Sequence, residues 1–272
     1  MTNSRQKVCP VALTPVRIAR FAAPPGGLSW GVVEGGRGAE IVAAIADHPF
    51  GPITFTGQRW ALPDVRLLSP ILPSKVVAVG RNYADHAREL GNEVPDVPLL
   101  FLKPSTSVIG DGDVIRLPAD SQQVEHEAEL AVVIGRPAKD VDREKALDHV
   151  LGYTVANDVT ARDQQRADVQ FTRAKGYDSF CPIGPWIETV LDPSDLRITA
   201  SVNGAIRQDG RTSQMVHDVA SLIAFASNIM TLLPGDVILT GTPAGVGPIR
   251  DGDTVSVEIE GIGTLTNQVR AK

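Results

Sequence analysis

The stretch VEHEAELAVVIG, residues 124–135, constrains the fold more than any other part of the chain. The run Ala131, Val132, Val133 and Ile134 has the composition of a strand, and strand side chains alternate between faces. Glu127 and Glu129 therefore project from one face, while Ala128, Leu130, Val132 and Ile134 occupy the other. A second strand-like run, LGYTVA at residues 151–156, leads straight into Asn157 and Asp158. If the two strands are neighbours, Asp158 completes a cluster of three carboxylates. A wet strand face also carries alternating Glu residues, and for Glu127 and Glu129 taken alone that reading suffices. Three acids beside apolar neighbours need a positive partner. A hard divalent cation, Mg²⁺ or alternatively Mn²⁺ or Ca²⁺, takes such oxygen ligands.

Other parts of the chain strengthen the metal reading. Residues 75–80, KVVAVG, read as a buried strand that feeds a short helical turn stopped by Gly91. On that turn His86 and Glu89 are three apart and share a face. A carboxylate that orients an imidazole is the usual arrangement of a general base, although a solvated helix face carries the same pair. Arg162 and Gln165 lie four and seven residues beyond Asp158 on a helix-compatible run, so both can face the same pocket. Residues 174–186, AKGYDSFCPIGPW, hold too many Gly and Pro for regular structure and read as an irregular buried loop. Lys175 is its only cation; a surface lysine beside a structural loop is the plain alternative. The run LTGTPAGVG, residues 239–247, is a strand entering a Gly-rich loop. It is no phosphate-binding loop, since no Lys-Ser/Thr follows, but its amides and the Thr242 hydroxyl can approach an anionic ligand closely.

The remaining segments set the organisation. Residues 1–15 read as a loose tail, and residues 16–21 and 29–34 as a hairpin spaced by two prolines and two glycines. Residues 1–68 form a small β-rich N-terminal domain with no convergent polar set. The prolines between Pro70 and Pro73 mark its end, and residues 69–272 form the larger domain. Residues 142–149 predict a short amphipathic helix with Ala146, Leu147 and Val150 on its apolar side. Residues 198–207 predict a hairpin turning at Asn203-Gly204. Residues 216–230 predict the one strong amphipathic helix, with Val219, Leu222, Ile223, Ala226, Ile229 and Met230 as its core stripe. Residues 253–259 and 263–269 close the chain as a hairpin.

Composition removes several classes of function. A net charge of -6 with no basic block gives nucleic acid nothing to bind. Cys9 and Cys181 are too few for a disulfide framework, and no Cys/His spacing suits zinc. No secretory leader and no run of about 18 apolar residues is present, so a cytoplasmic protein with no membrane partner is expected.

Five ordered motifs carry a resemblance: RNYADHARE (81–89), HEAELAVVIG (126–135), NDVTARD (157–163), AKGYDSFCPIGP (174–185) and LTGTPAGVG (239–247). Together they resemble the fumarylacetoacetate hydrolase family over residues from about 70 to the C-terminus. The likeness is to its smaller members, known as 2-hydroxyhepta-2,4-diene-1,7-dioate isomerases, acylpyruvate hydrolases and oxaloacetate decarboxylases. Residues 1–68 match only as the variable N-terminal domain of many members.

The resemblance implies an α+β, predominantly β fold, a mixed β-sandwich roll, and a homodimer. It implies Glu127, Glu129 and Asp158 as metal ligands, and His86 and Glu89 as a catalytic dyad on a lid helix that orders with ligand. Lys175 joins them as a catalytic residue. Arg162, Gln165 and Thr242 correspond to substrate contacts. Lys175 is followed by Gly-Tyr where relatives often carry Ser-Phe, a departure that leaves its role intact. The function implied is a divalent-metal-dependent enzyme on 2-oxo acids that cleaves a C–C bond through a metal-stabilised enolate, with the dyad activating water. The alternative is isomerisation or decarboxylation of 2-hydroxyhepta-2,4-diene-1,7-dioate-type dicarboxylic acids in aromatic catabolism. A reading of another class is an inactive binding protein of the same fold; loss of a carboxylate or of the dyad would favour it, and the sequence retains all of them.

Overall fold

A computed structural model describes residues 15–36 and 38–272. The tail assigned to residues 1–15 falls, but for Pro15, outside the described residues, as does Cys9. The strands are β1 (Arg17–Ala22), β2 (Leu28–Glu34), β3 (Ile41–Ile45), β4 (Phe55–Ala61), β5 (Arg66–Leu68), β6 (Val76–Gly80), β7 (Leu99–Lys103), β8 (Val108–Ile109), β9 (Val114–Leu117) and β10 (Val124–His126). They continue with β11 (Ala128–Ile134), β12 (Val150–Asn157), β13 (Thr160–Ala161), β14 (Cys181–Glu188), β15 (Arg197–Val202), β16 (Ala205–Arg211), β17 (Val237–Leu239), β18 (Gly247–Pro248), β19 (Thr254–Ile259) and β20 (Gly263–Ala271). Among the described residues four α-helices accompany them: α1 (Ala84–Glu89), α2 (Arg162–Ala167), α3 (Thr172–Lys175) and α4 (Val219–Ile229).

The fold is predominantly β, built on mixed sheets. A large sheet runs β4-β3-β2-β1-β14-β12-β11-β17-β6-β7, with β5 on β1 and β8 on β14. A five-stranded sheet, β16-β15-β19-β20-β9, lies across it, and β13-β10-β18 form a third. Most pairs are antiparallel, but β17 with β6, β14 with β8 and β20 with β9 are parallel. The segment read as a small N-terminal domain thus contributes β1 to β5 to the large sheet.

Alternation along β11 explains the layering. Ala128, Leu130, Val132 and Ile134 pack with Ile198 and Ala200 of β15, Val257 of β19 and the buried face of α4. Ala131 and Val133 face the other way, onto Ile18, Ile183, Ile187 and Leu239. That second face is apolar along the strand body and acidic at its start, where Glu129 and Glu127 continue the same period. The Asn203-Gly204 turn forms as expected, with both residues at positive φ (53° and 79°), the geometry of a two-residue hairpin turn.

Three expectations are corrected. Residues 181–188 are not irregular: they form β14, held between β1 and β12 despite Pro182 and Pro185. Burial of Cys181, Ile183 and Ile187 outweighs the local Pro and Gly preference, and a register shift between Tyr153 and Val155 absorbs the misfit. Residues 143–149 form a 3₁₀ helix rather than an α-helix. Three residues per turn bury Ala146 but leave Leu147 47% exposed. On α4 the stripe is narrower than expected, with Ile229 56% exposed. At 100° per residue Ile229 lies roughly 80° from the direction of Val219, at the margin of the buried face.

Candidate active site

The pairing of β11 with β12 builds the acidic cluster. Ala128 is opposite Asn157, so the chain just before β11 meets the chain just after β12. The Asp158 amide donates to the Glu127 carbonyl (2.9 Å), and the Glu127 amide donates to Asn157 Oδ1 (2.9 Å). At Glu127 the chain also passes from the small sheet, through β10, into the large one. One ligand oxygen from each of Glu127, Glu129 and Asp158 lies within 4.8 Å of the others, and all three residues are buried.

Cations surround two of these acids. Lys175 Nζ, delivered by α3, donates to Glu127 Oε2 (2.8 Å) and Asp158 Oδ2 (2.6 Å). Arg162, first residue of α2, donates through Nη2 to Glu127 Oε1 (2.6 Å), through Nε to Glu125 Oε2 (2.8 Å) and through Nη1 to Gln165 Oε1 (2.6 Å). Burial alone would push the Glu127 carboxyl up, but Lys175 and Arg162 outweigh it and hold Glu127 below the ordinary carboxylate range. Burial would likewise lower the Lys175 ammonium, yet Asp158 and Glu127 keep it raised.

Glu129 differs. Its hydrogen bond comes from the Gly241 amide (2.7 Å), and among the described residues no cationic side chain pairs with it. Burial, then the charges of Asp158 and Glu127, push its carboxyl well above the ordinary value. Four carboxylates, counting Glu125, thus share three cations, Arg162, Lys175 and Lys103. A buried carboxylate without compensation is unfavourable by several kcal/mol. Each carboxylate oxygen has two lone pairs, so one bond from a lysine or arginine leaves another free. A divalent cation with oxygen ligands fits this donor set, and it would supply the positive charge that, among the described residues, no side chain brings to Glu129.

Of the catalytic candidates, His86 and Lys175 line the same cavity, of about 350 Å³, as the three acids, and Glu89 stands behind His86. His86 on α1 is buried, with Nδ1 3.5 Å from Glu89 Oε2, too long and poorly aligned for a full hydrogen bond. Burial lowers its imidazole below the ordinary value, with the charge of Glu127 acting in the opposite sense, so the ring is neutral at neutral pH. Glu89 accepts the Gly245 amide with both oxygens. Gln165 and Thr242 line the cavity, as do Phe101 and Phe171.

Two contributors had no recognisable sequence signature. Lys103, at the end of β7, is buried and donates to Asp158 Oδ1 (2.5 Å) and to the Lys175 carbonyl (2.6 Å). Its one trace is a lysine closing an apolar strand on the same alternation as Phe101. Gln208 of β16 donates to Thr242 Oγ1 (2.7 Å) and accepts from the Ala128 amide (2.9 Å), tying the Gly-rich loop to β11. No local pattern marks it, because its partners come from distant strands.

Comparison with known proteins places this geometry. A family model described as fumarylacetoacetate (FAA) hydrolase C-terminal matches residues 75–270, and one described as Rv2993c-like, N-terminal, matches residues 16–70. A crystal structure of 5-carboxymethyl-2-hydroxymuconate delta-isomerase from Mycobacterium smegmatis is 57% identical with a TM-score of 0.89, covering 94% of this chain and 100% of that one. Oxaloacetate decarboxylase, mitochondrial, of Dictyostelium discoideum is 48% identical over 197 residues, 70% of this chain and 90% of the relative. A fumarylpyruvate hydrolase from Pseudomonas aeruginosa, solved in complex with Mn²⁺ and pyruvate, is 32% identical with a TM-score of 0.71, over 74% of this chain and 91% of that one. The match over residues 75–270 takes in the dyad, all three acids and the Gly-rich loop, and by it the chain belongs to the fumarylacetoacetate hydrolase family.

Proposed function

We propose that the chain is a divalent-metal-dependent enzyme that isomerises or decarboxylates 2-oxo and 2-hydroxydienoic dicarboxylic acids. The observation that carries this reading is Glu129, a buried carboxylate beside Glu127 and Asp158 that no cationic side chain among the described residues pairs with. The isomerase and decarboxylase relatives support it. The cation is proposed as Mg²⁺ or Mn²⁺, and a relative that holds Mn²⁺ with pyruvate supports that choice. Held by the three acids, such an ion supplies Lewis acidity toward the keto or enol oxygen of the substrate.

The rest falls to the chain itself. Neutral His86 accepts a proton from a carbon beside the carbonyl and returns it further along the conjugated system. Glu89 biases the ring toward that exchange through its charge. Lys175 holds its ammonium between Glu127 and Asp158 and can donate to an oxyanion formed beside them. Gln165 spends its carbonyl oxygen on Arg162, which leaves its amide N–H groups to donate to the ligand. Arg162 itself is committed to Glu125 and Glu127, so its main work is to hold Glu127 in place.

A second reading, hydrolysis of an acylpyruvate by a water that His86 activates, is supported by the dyad and by the hydrolase relative. A panel of oxaloacetate, acetylpyruvate, fumarylpyruvate and 2-hydroxyhepta-2,4-diene-1,7-dioate, each with Mg²⁺ and with chelator, separates the readings. Expected are a chelator-sensitive ultraviolet change of the heptadienedioate without pyruvate release, or pyruvate and CO₂ from oxaloacetate. Turnover confined to acetylpyruvate and fumarylpyruvate would establish the hydrolase instead. No turnover of any of the four would refute both. We propose that the enzyme works as a homodimer, which light scattering at twice the chain mass tests.

A further inference from the structure

Where β6 ends, the chain enters the cavity wall through a residue with unusual backbone geometry. Arg81 has φ 58°, in the left-handed region that glycine adopts freely and other residues seldom do. The next residue holds it there. Asn82 Nδ2 donates to the carbonyls of His217 (2.9 Å) and Thr240 (2.8 Å), while Asn82 Oδ1 accepts from the His217 amide (2.9 Å). The Asn82 carbonyl accepts from the Val216 amide (2.8 Å) as well. A strained position fixed this firmly, on the wall of a cavity, points to a use for the side chain it carries.

The charge pattern of the cavity indicates that use. Arg162 and Lys175 are spent on internal carboxylates, and Arg166 donates to Gln123. Arg81 lines the same cavity half-buried, and among the described residues no carboxylate or other acceptor engages its guanidinium. The acidic cluster at one side of the cavity suits the 2-oxo end of a substrate bound through a cation. A substrate with a second carboxylate then meets on the wall a guanidinium that no acceptor among the described residues engages, and guanidinium and carboxylate pair through two parallel hydrogen bonds. We infer that Arg81 is the specificity-determining residue that binds the distal carboxylate of a dicarboxylic substrate. This rests on the proposed function for the 2-oxo end of the ligand.

The test is calorimetric titration of the full chain, loaded with Mn²⁺, with 2-oxohexanoate and 2-oxohexanedioate. These ligands differ only in the distal carboxylate. The parent is expected to bind the diacid about tenfold or more tightly than the monoacid, the scale of one charge-assisted pair. Arg81→Gly suits the left-handed backbone and removes the side chain without new strain. It should abolish the preference by weakening the diacid alone, and Arg81→Lys should keep part of it. Arg166→Gln, at the arginine of the wall that bonds Gln123, should keep all of it. Equal affinities in the parent, a preference that survives Arg81→Gly, or one lost in Arg166→Gln alone would each overturn the assignment while leaving the 2-oxo reading intact. Binding of neither acid would refute the proposed function, and this inference with it.

Discussion

Glu89 grips the amide of Gly245 with both carboxylate oxygens, each at 3.1 Å. One side chain thus joins the helix that carries His86 to the Gly-rich loop that carries Thr242. Its partner must be glycine: φ is 96° at Gly245, and a Cβ there would meet the Arg207 carbonyl oxygen at 2.3 Å. Glu89→Ala is expected to lower kcat by about 10²-fold, the lower end of general-base contributions, and His86→Ala by about 10²- to 10⁴-fold. Mn²⁺ affinity should stay at the parent value in both. Hydrogen exchange at the Gly245 amide should accelerate in Glu89→Ala; unchanged exchange would mean that the contact does not hold the helix in solution.

The pH profile follows from His86. Burial lowers its imidazole below the ordinary range, and Glu127 and Glu89 work against that shift. A base must be neutral to act, so kcat/KM should stay level through neutral pH and fall only below the usual imidazole value. Removing the charge of Glu89 removes an influence that raises the imidazole, so Glu89→Gln should move the acid limb lower still. An acid limb that moves upward in this variant would contradict the coupling.

Metal-free stability should depend on Glu129. Its folded carboxyl is raised, and an unfolded glutamate titrates near about 4.3. Between those values the folded chain binds the extra proton, so its stability is full at low pH and declines as pH rises. Glu129→Gln does not titrate. In chelator its melting temperature should therefore gain on the parent as pH climbs from about 4.5. Added Mg²⁺ should stabilise the parent by mass action and the variant far less. Parallel melting curves for the two across pH would refute the raised carboxyl.

Lys103 makes a buried ion pair with Asp158, both side chains essentially inaccessible. Breaking such a pair by truncating one partner destabilises by about 3–5 kcal/mol. Lys103→Met should fall near the lower figure, because Lys175 still bonds Asp158. Urea unfolding should show an earlier midpoint with an unchanged slope. A midpoint within error of the parent would show that the lysine is dispensable to the cage.

How much of this was legible in the sequence depends on how local the signal is. The alternation that puts Glu127 and Glu129 on one face of β11 is a property of consecutive residues, and the structure keeps it. Asp158 could be placed because it ends the neighbouring strand. The His86–Glu89 spacing needed only a helical turn. Lys103 and Gln208 could not be read, since each acts on residues 34 or more positions away, across strands and loops that meet only in the finished fold. The same limit hid β14, where contacts made by Ile183 and Ile187 in the core outweigh two prolines. Ile229 and Leu147 err in the opposite direction: periodicity marks them as apolar but not where the covering layer stops.

The route of the large sheet has a consequence for any shortened form of this chain. β1 is the strand that lies beyond β14, with Ile18 opposite Ile187, and Ile18 and Phe21 are buried. A chain beginning after Leu68 would keep every acid, cation and dyad residue of the site. It would also bare the end of β14 at Ile187 and Glu188, since β8 covers only its start at Cys181 and Pro182, and the freed amides and carbonyls would be open to pairing with another molecule. Such a fragment should fail first by strand-to-strand aggregation. The N-terminal segment acts as a seal on that end of the strand.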